Sequence, residues 1–267
     1  MAGRLAGQAV IVTGAGRGFG RAIALGLAAE EAAVTVTARS KDEIDITVAQ
    51  VETAGGRAHA VAGDVTNRAD VARVVDAAQK RFGPVTVLVN NAGVAWPYGP
   101  VWAVDPDEWW AAEAVHVRGA FLYMNAVLPG MVERRSGHII TISALAGQRV
   151  APNLSAYCVA KNAQIRLTEH VAAETKDRGV AAFAIEPGTA ITDLAEGTMA
   201  SPAAQRWLPG MVERLRGLKE QQDPAVVFAR CVEMCVDLAS GRYDALSGRF
   251  LLPEDDFEKL LKEAPSS

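Results

Sequence analysis

Tyr157 and Lys161 stand four residues apart in the run Tyr157-Cys158-Val159-Ala160-Lys161, within a stretch whose apolar pattern predicts a helix over 156–175. Residues at this spacing share one helical face, so a phenol and an ammonium can meet there. The ammonium would stabilise the phenolate and bring the phenol into range for proton transfer near neutral pH. Ser143, fourteen residues before the tyrosine, adds a hydroxyl from the preceding strand. The pair points to an enzyme that exchanges a proton with its substrate.

A second chemical signature lies near the N-terminus, in Thr13-Gly14-Ala15-Gly16-Arg17-Gly18-Phe19-Gly20. It follows an apolar strand and opens a helix, with the glycine spacing Gly14-x3-Gly18-x-Gly20 rather than G-x-G-x-x-G. Such glycines let the backbone turn tightly and approach a pyrophosphate, while the helix N-terminus offers amide donors and a favourable dipole.

Positioning these groups requires a scaffold, and the hydropathy pattern supplies one. Short β-branched runs at 9–13, 33–38, 58–62, 85–89, 138–142, 180–185 and 249–252 alternate with helical patterns such as 69–81 and 156–175. That alternation predicts parallel strands joined by right-handed helical crossovers: an α/β, Rossmann-like, doubly wound sheet of about seven strands with helices on both faces. Residues 1–267 read as one domain, without repeats or an internal linker. The rhythm is interrupted over 189–223, a segment rich in Met, Leu, Trp and Pro, which the pattern predicts to be a helical insertion covering the substrate.

Half of the 267 residues are apolar, enough for a large core, and the net charge of -4 is scattered along the chain. No basic field is offered to a phosphate backbone, so nucleic acid is not an expected partner. No apolar run reaches membrane-spanning length and the N-terminus lacks the pattern of a cleaved leader, so the expectation is a soluble cytoplasmic protein without a membrane partner. Cys158, Cys231 and Cys235 lack metal-ligand company, and no metal site is expected; Cys231 and Cys235, one helical turn apart, read as buried apolar residues.

Taken together and in this order, Thr13 to Gly20, Asp64, Asn90-Asn91-Ala92-Gly93, Tyr157-x3-Lys161 and Pro187-Gly188 resemble the short-chain dehydrogenase/reductase family over nearly the whole chain. The resemblance implies a nicotinamide dinucleotide held by Gly14, Arg17, Gly18, Phe19 and Gly20. It further implies that Asp64 and Val65 meet the adenine, that Asn90, Asn91, Ala92 and Gly93 line the cofactor cleft, and that Pro187, Gly188 and Thr192 lie at the nicotinamide. Tyr157 would be the general acid or base, and Lys161 would also orient the nicotinamide ribose. An acidic residue ending the second strand would select NAD; this chain has Ala38 followed by Arg39, and with Arg17 in the glycine turn two cations favour NADP. For Asp64 the alternative is a helix-capping role.

Two family positions differ. A serine that polarises the substrate carbonyl normally lies thirteen residues before the tyrosine, where this chain has Ala144, and an asparagine that normally holds a relay water is replaced by His116. Ser143 is a candidate replacement donor, but successive strand residues face opposite sides, so it should point away from Tyr157 unless the strand end is bulged or turning. Its alternative is a hydroxyl bonded to local backbone. His116 could hold the relay water, donate if protonated, or pack within the helix.

The expected activity is NADPH-dependent reduction of a carbonyl, or oxidation of the corresponding alcohol, on a fairly bulky apolar small molecule. Trp96, Tyr98, the 148–154 segment and 194–211 with Met199 and Trp207 would form its cavity, and Arg149 could meet an anionic group. The altered serine and asparagine positions leave open an imine or enone reductase, a redox-neutral dehydratase or cyclase, and a non-catalytic NADP-binding protein. The resemblance also implies a homodimer or homotetramer assembled through the helices around His116 and 156–175. The 253–267 tail lacks the family's frequent Asp-Gly-Gly ending.

Overall fold

The computed structural model describes residues 2–263. Seven strands form one parallel sheet: β1 (Ala9–Thr13), β2 (Ala33–Thr37), β3 (Arg57–Ala60), β4 (Val87–Asn90), β5 (Gly137–Ile142), β6 (Val180–Ile185) and β7 (Phe250–Leu251). Their order is β3-β2-β1-β4-β5-β6-β7. Each strand lies close to its sequence-predicted run, and β7 shortens to two residues at the sheet edge.

Helices α1 (Gly18–Ala29), α2 (Lys41–Thr53), α3 (Arg68–Phe82), α4 (Pro106–Glu113), α5 (Gly119–Arg134) and α6 (Ser155–Thr175) alternate with the strands. Alternate strand residues enter two separate cores. Val10, Val12, Val87, Val89, Ile140 and Phe183 pack on one face, with Ile23 and Leu27 of α1. Ile11, Leu88, Ile139 and Ala182 pack on the other, with Val74 of α3 and Tyr123, Met124 and Val127 of α5. This explains why the inner strand sequences are apolar without a polar face, whereas edge strand β3 alternates Arg57 and His59 with alanines.

Asn67 caps α3 by accepting from the N–H groups of Ala69 and Asp70, and Asp105 caps α4 in the same manner. Between α4 and α5, Ala114–Arg118 adopts a π-helical turn, so the two helices run together through an irregular segment that carries His116. The segment expected over 189–223 contains α7 (Asp193–Ala200), α8 (Pro202–Trp207) and α9 (Pro209–Gln221). Ala195, Met199 and Leu215 form a small core of their own there. The chain then returns through α10 (Pro224–Ala239) to β7 and ends in α11 (Phe257–Glu263). Among the described residues, no helix is long and apolar enough to cross a membrane. The last four residues of the 253–267 tail lie outside the described residues.

The strand order reverses between β1 and β4, because β1 connects outward to β2 while β4 connects onward to β5. In such sheets the crevice beyond the strand C-termini at the reversal is the natural ligand site. The glycine turn follows β1 and Asn91-Ala92-Gly93 follows β4, so both motifs meet at this crevice.

Candidate active site

The glycine turn is held by its neighbour across the reversal. Thr13 Oγ1 accepts the N–H groups of Asn91 and Ala92 at 3.0 and 3.1 Å, and Asn91 Nδ2 donates to the carbonyls of Thr13 and Gly14 at 3.0 and 3.1 Å. Asn91 therefore spends its side chain on the scaffold of the cradle. Gly14 has φ +63, and a Cβ there would come within 2.9 Å of Ala92 Cα; one at Gly20 would come within 2.2 Å of Gly14 O. Arg17, at the N-cap of α1, provides no side-chain cap, which leaves the helix's leading amides as donors beside Gly18, Phe19 and Gly20. A tight, amide-lined cradle of this kind fits a dinucleotide pyrophosphate.

Arg21, which the motif reading did not single out, clips this turn to α2: it donates to Gly16 O, to Glu43 O at 3.4 Å and to Thr47 Oγ1 at 3.2 Å. Arg17 lies 3.4 Å from a Glu43 oxygen and 3.6 Å from an Asp193 oxygen. The cation expected to meet a phosphate thus rests between two carboxylates. Arg39 is exposed and makes no carboxylate pair among the described residues.

Asp64 Oδ1 accepts from Thr66 N and Thr66 Oγ1, both at 2.8 Å, forming a local turn; the cap of α3 belongs to Asn67. Val65 is buried. Thr192 caps α7 by accepting from Ala195, and its methyl group approaches Gly18, which brings the start of the insertion to the glycine turn. Pro187 and Gly188 lie between β6 and this cap.

The candidate reacting pair is carried by α6. Lys161 Nζ lies 5.5 Å from the centroid of the Tyr157 ring. The lysine is 4% exposed and donates to Ile142 O at 2.7 Å and to Gln164 Oε1 at 3.0 Å. Burial lowers its pKa to about 7, an effect that nearby Glu186 opposes. Burial first, and the negative charge of Glu186 second, raise the Tyr157 phenol well above its usual range.

These effects run against the expectation that the ammonium brings the phenol into range near neutral pH. Desolvation of the phenol and the carboxylate of Glu186 both disfavour the phenolate, although the Tyr157 side chain is only half-buried.

Ser143 is buried and its hydroxyl donates to Lys161 O at 2.9 Å. The replacement-donor expectation is corrected accordingly: the strand's alternation turns this hydroxyl onto the backbone of α6. Ala144, the residue expected at the serine position, is extended (φ −164, ψ 153) and has no side-chain donor.

His116 is 1% exposed. Its ring stands edge-on to Tyr157, with centroids 5.7 Å apart at 83°, and lies against Gly93. Nε2 is 2.7 Å from Val94 O and 3.1 Å from Val94 N. Burial, with the neighbouring Lys161 charge, lowers its pKa to about 3, so the protonated-donor reading is also corrected: the ring is neutral at physiological pH. With Nε2 engaged by Val94, Nδ1 is buried without a partner among the described residues.

Two further residues were not anticipated. Gln164 donates from Nε2 to His116 O at 3.0 Å while accepting from Lys161. Glu186, at the end of β6, accepts from the amides of Leu145 and Gly188, and burial raises its pKa. Gln164 could have been suspected from its i+3 relation to Lys161.

The opposite wall is joined by three interactions. Tyr98 Oη and Thr198 Oγ1 are 2.7 Å apart, Asn153 Nδ2 donates to Trp207 O at 2.9 Å, and Gly99 N donates to Asn153 O at 2.8 Å. These link the segments after β4 and β5 to the 189–223 insertion, with Met199 buried and Trp96 40% exposed.

The short chain dehydrogenase model matches residues 8–202. A short chain dehydrogenase of Pseudocercospora fijiensis is 33% identical over 266 residues, covering 98% of this chain and 85% of the relative. A 2-(S)-hydroxypropyl-CoM dehydrogenase of Xanthobacter autotrophicus is 38% identical over 189 residues, 71% of this chain and 74% of the relative. The crystal structure of a levodione reductase superposes with a TM-score of 0.83 at 26% identity, covering 93% of this chain and 96% of that one.

Proposed function

The chain belongs to the short chain dehydrogenase family, and on that premise we propose that it is an NADPH-dependent oxidoreductase acting on a fairly bulky apolar carbonyl compound or the corresponding alcohol. The observation that carries this reading is the placement of Tyr157 over buried Lys161, on the helix beside the β1/β4 crevice. Members of the family use a nicotinamide dinucleotide, which when bound supplies hydride for reduction or accepts it for oxidation.

The α1 amides and the glycine turn would hold the pyrophosphate, and Thr192 would lie at the nicotinamide end. Arg39 would meet the 2'-phosphate, and Arg17 would join it by leaving Glu43. Lys161 would hold the ribose through the ammonium N–H not engaged by Ile142 or Gln164.

Tyr157, whose ring lies beside the Lys161 ammonium, would be the general acid of reduction. It would give its phenolic proton to the substrate oxygen. Trp96, Tyr98, Met199 and Trp207 would exclude water, with the 189–223 insertion as cover. A symmetric assembly belongs to the same reading, since α5 exposes Phe121 and α6 exposes Val159.

A specific observation favours a second reading. Ala144 offers no donor to a developing oxyanion, Ser143 faces backbone, and the carboxyl of Glu186 lies near the reacting pair. An iminium or activated enone, which needs less polarisation, would suit that environment. Following product formation and NADPH absorbance together over bulky ketones and cyclic imines tests both readings. One NADPH consumed per product supports hydride transfer; product without NADPH loss overturns it in favour of redox-neutral chemistry.

A further inference from the structure

We propose that Gln164 is a positioning residue for Lys161, its side-chain amide bridging the His116 carbonyl to the lysine ammonium and fixing the direction in which that ammonium can act. The inference rests on the reading of Tyr157 and Lys161 as the reacting pair.

The bridge is built from both ends of one amide. Nε2 donates to His116 O at 3.0 Å and Oε1 accepts from Lys161 Nζ at 3.0 Å. This polarity permits a single orientation of the amide, because His116 O can only accept and the ammonium can only donate. Gln164 is 1% exposed, and burying an amide without partners would be costly. Its burial is offset here by partners at both ends.

The two anchors come from different elements. His116 O belongs to the π-helical turn at Ala114–Arg118, where the regular i→i+4 ladder is broken. Ile142 O, the second acceptor of Lys161, belongs to the end of β5. With Gln164 and Ile142 taking two of the three ammonium N–H groups, one remains for a ribose hydroxyl. Removing the Gln164 acceptor would free the lysine chain to rotate and leave a buried ammonium with one protein partner.

Lys161 also faces three titratable groups. Glu186 following β6 raises its pKa, burial lowers that of His116 from the π turn, and burial raises that of Tyr157 on the same helix. Substituting Gln164 with a neutral residue adds no charge to this set. Gln164→Met removes the acceptor at similar length, whereas Gln164→Glu retains an acceptor, adds negative charge and loses the donor to His116 O.

The test follows the Lys161 Cε signal against pH in 13C-lysine-labelled, cofactor-free protein, assigned by its loss in Lys161→Met. Thermal melting checks that each variant is folded, and the two substitutions give independent routes to the result. The expected outcome is a midpoint lowered by about one pH unit in Gln164→Met and raised by a similar amount in Gln164→Glu, the size of one charge-assisted hydrogen bond. The pH profile of NADPH-linked turnover should shift in the same directions, and KM for NADPH should rise more in Gln164→Met than in Gln164→Glu. Unchanged midpoints in the folded variants would overturn the proposal. If the wild type turns over no NADPH, the reading of the reaction fails, while the lysine titration still decides the role of Gln164.

Discussion

The hydroxyl of Ser143 donates to the main-chain carbonyl of Lys161 over 2.9 Å, so this serine fastens the end of β5 to α6. Ala144 then occupies the position from which a hydroxyl would address a carbonyl. The two neighbours have opposite predicted effects.

Ser143→Ala should leave turnover within a few-fold of wild type and lower stability by about 1 to 2 kcal/mol, the cost of a buried hydrogen bond whose acceptor remains. Ala144→Ser should raise reduction of an unactivated ketone, by up to on the order of 10²-fold if the new donor reaches the oxyanion. Steady-state kinetics and urea unfolding on the two variants measure both. A loss of activity on removing Ser143 comparable to that expected for a missing oxyanion donor would contradict its assignment.

His116 links stability to pH. The folded ring is neutral down to about pH 3, whereas an unfolded chain protonates its histidine near 6.5. The folded-state pKa is depressed, so the associated stability is present above pH 6.5 and is lost as pH falls toward 3. Between pH 7.5 and 4.5, wild type should therefore lose about 2.7 kcal/mol that a folded His116→Asn variant does not. Urea unfolding of both proteins at the two pH values reads this difference; equal losses would show that the ring takes up a proton within the fold.

Cofactor choice turns on the charges around the glycine turn. Arg39→Ala should reduce the preference for NADPH over NADH by about tenfold or more, the value of one charge-assisted contact. Glu43→Gln should act in the opposite direction, because it removes a carboxylate that holds Arg17 at 3.4 Å. Comparing KM for both nucleotides in each variant checks the pair of expectations.

Much of this arrangement was legible in the sequence. The apolar runs located the strands because the five inner ones are buried between helices, and strand alternation already implied that Ser143 would turn away from Tyr157. The glycine spacing located a tight turn, although the sequence did not reveal that Asn91 is spent holding it. Long-range placement was less accessible. Gln164 meets a carbonyl contributed by His116, forty-eight residues earlier, and only the π turn presents that carbonyl. Arg17 read as a phosphate ligand because its two carboxylates lie on α2 and α7, and neither contact is a local pattern. The upward push on the Tyr157 phenol and the downward push on Lys161 come first from burial, with Glu186 acting on both, which spacing alone could not reveal.

Tyr157→Phe carries the central claim, since it removes one hydroxyl from a ring that also packs edge-on against His116. The measurement is NADPH consumption on the best substrate of a ketone and imine panel, with NADPH affinity measured separately by fluorescence titration. The account predicts NADPH affinity within a few-fold of wild type and turnover lowered by on the order of 10² or more, the scale of a lost general acid. Unchanged turnover in the folded, NADPH-binding variant would contradict it.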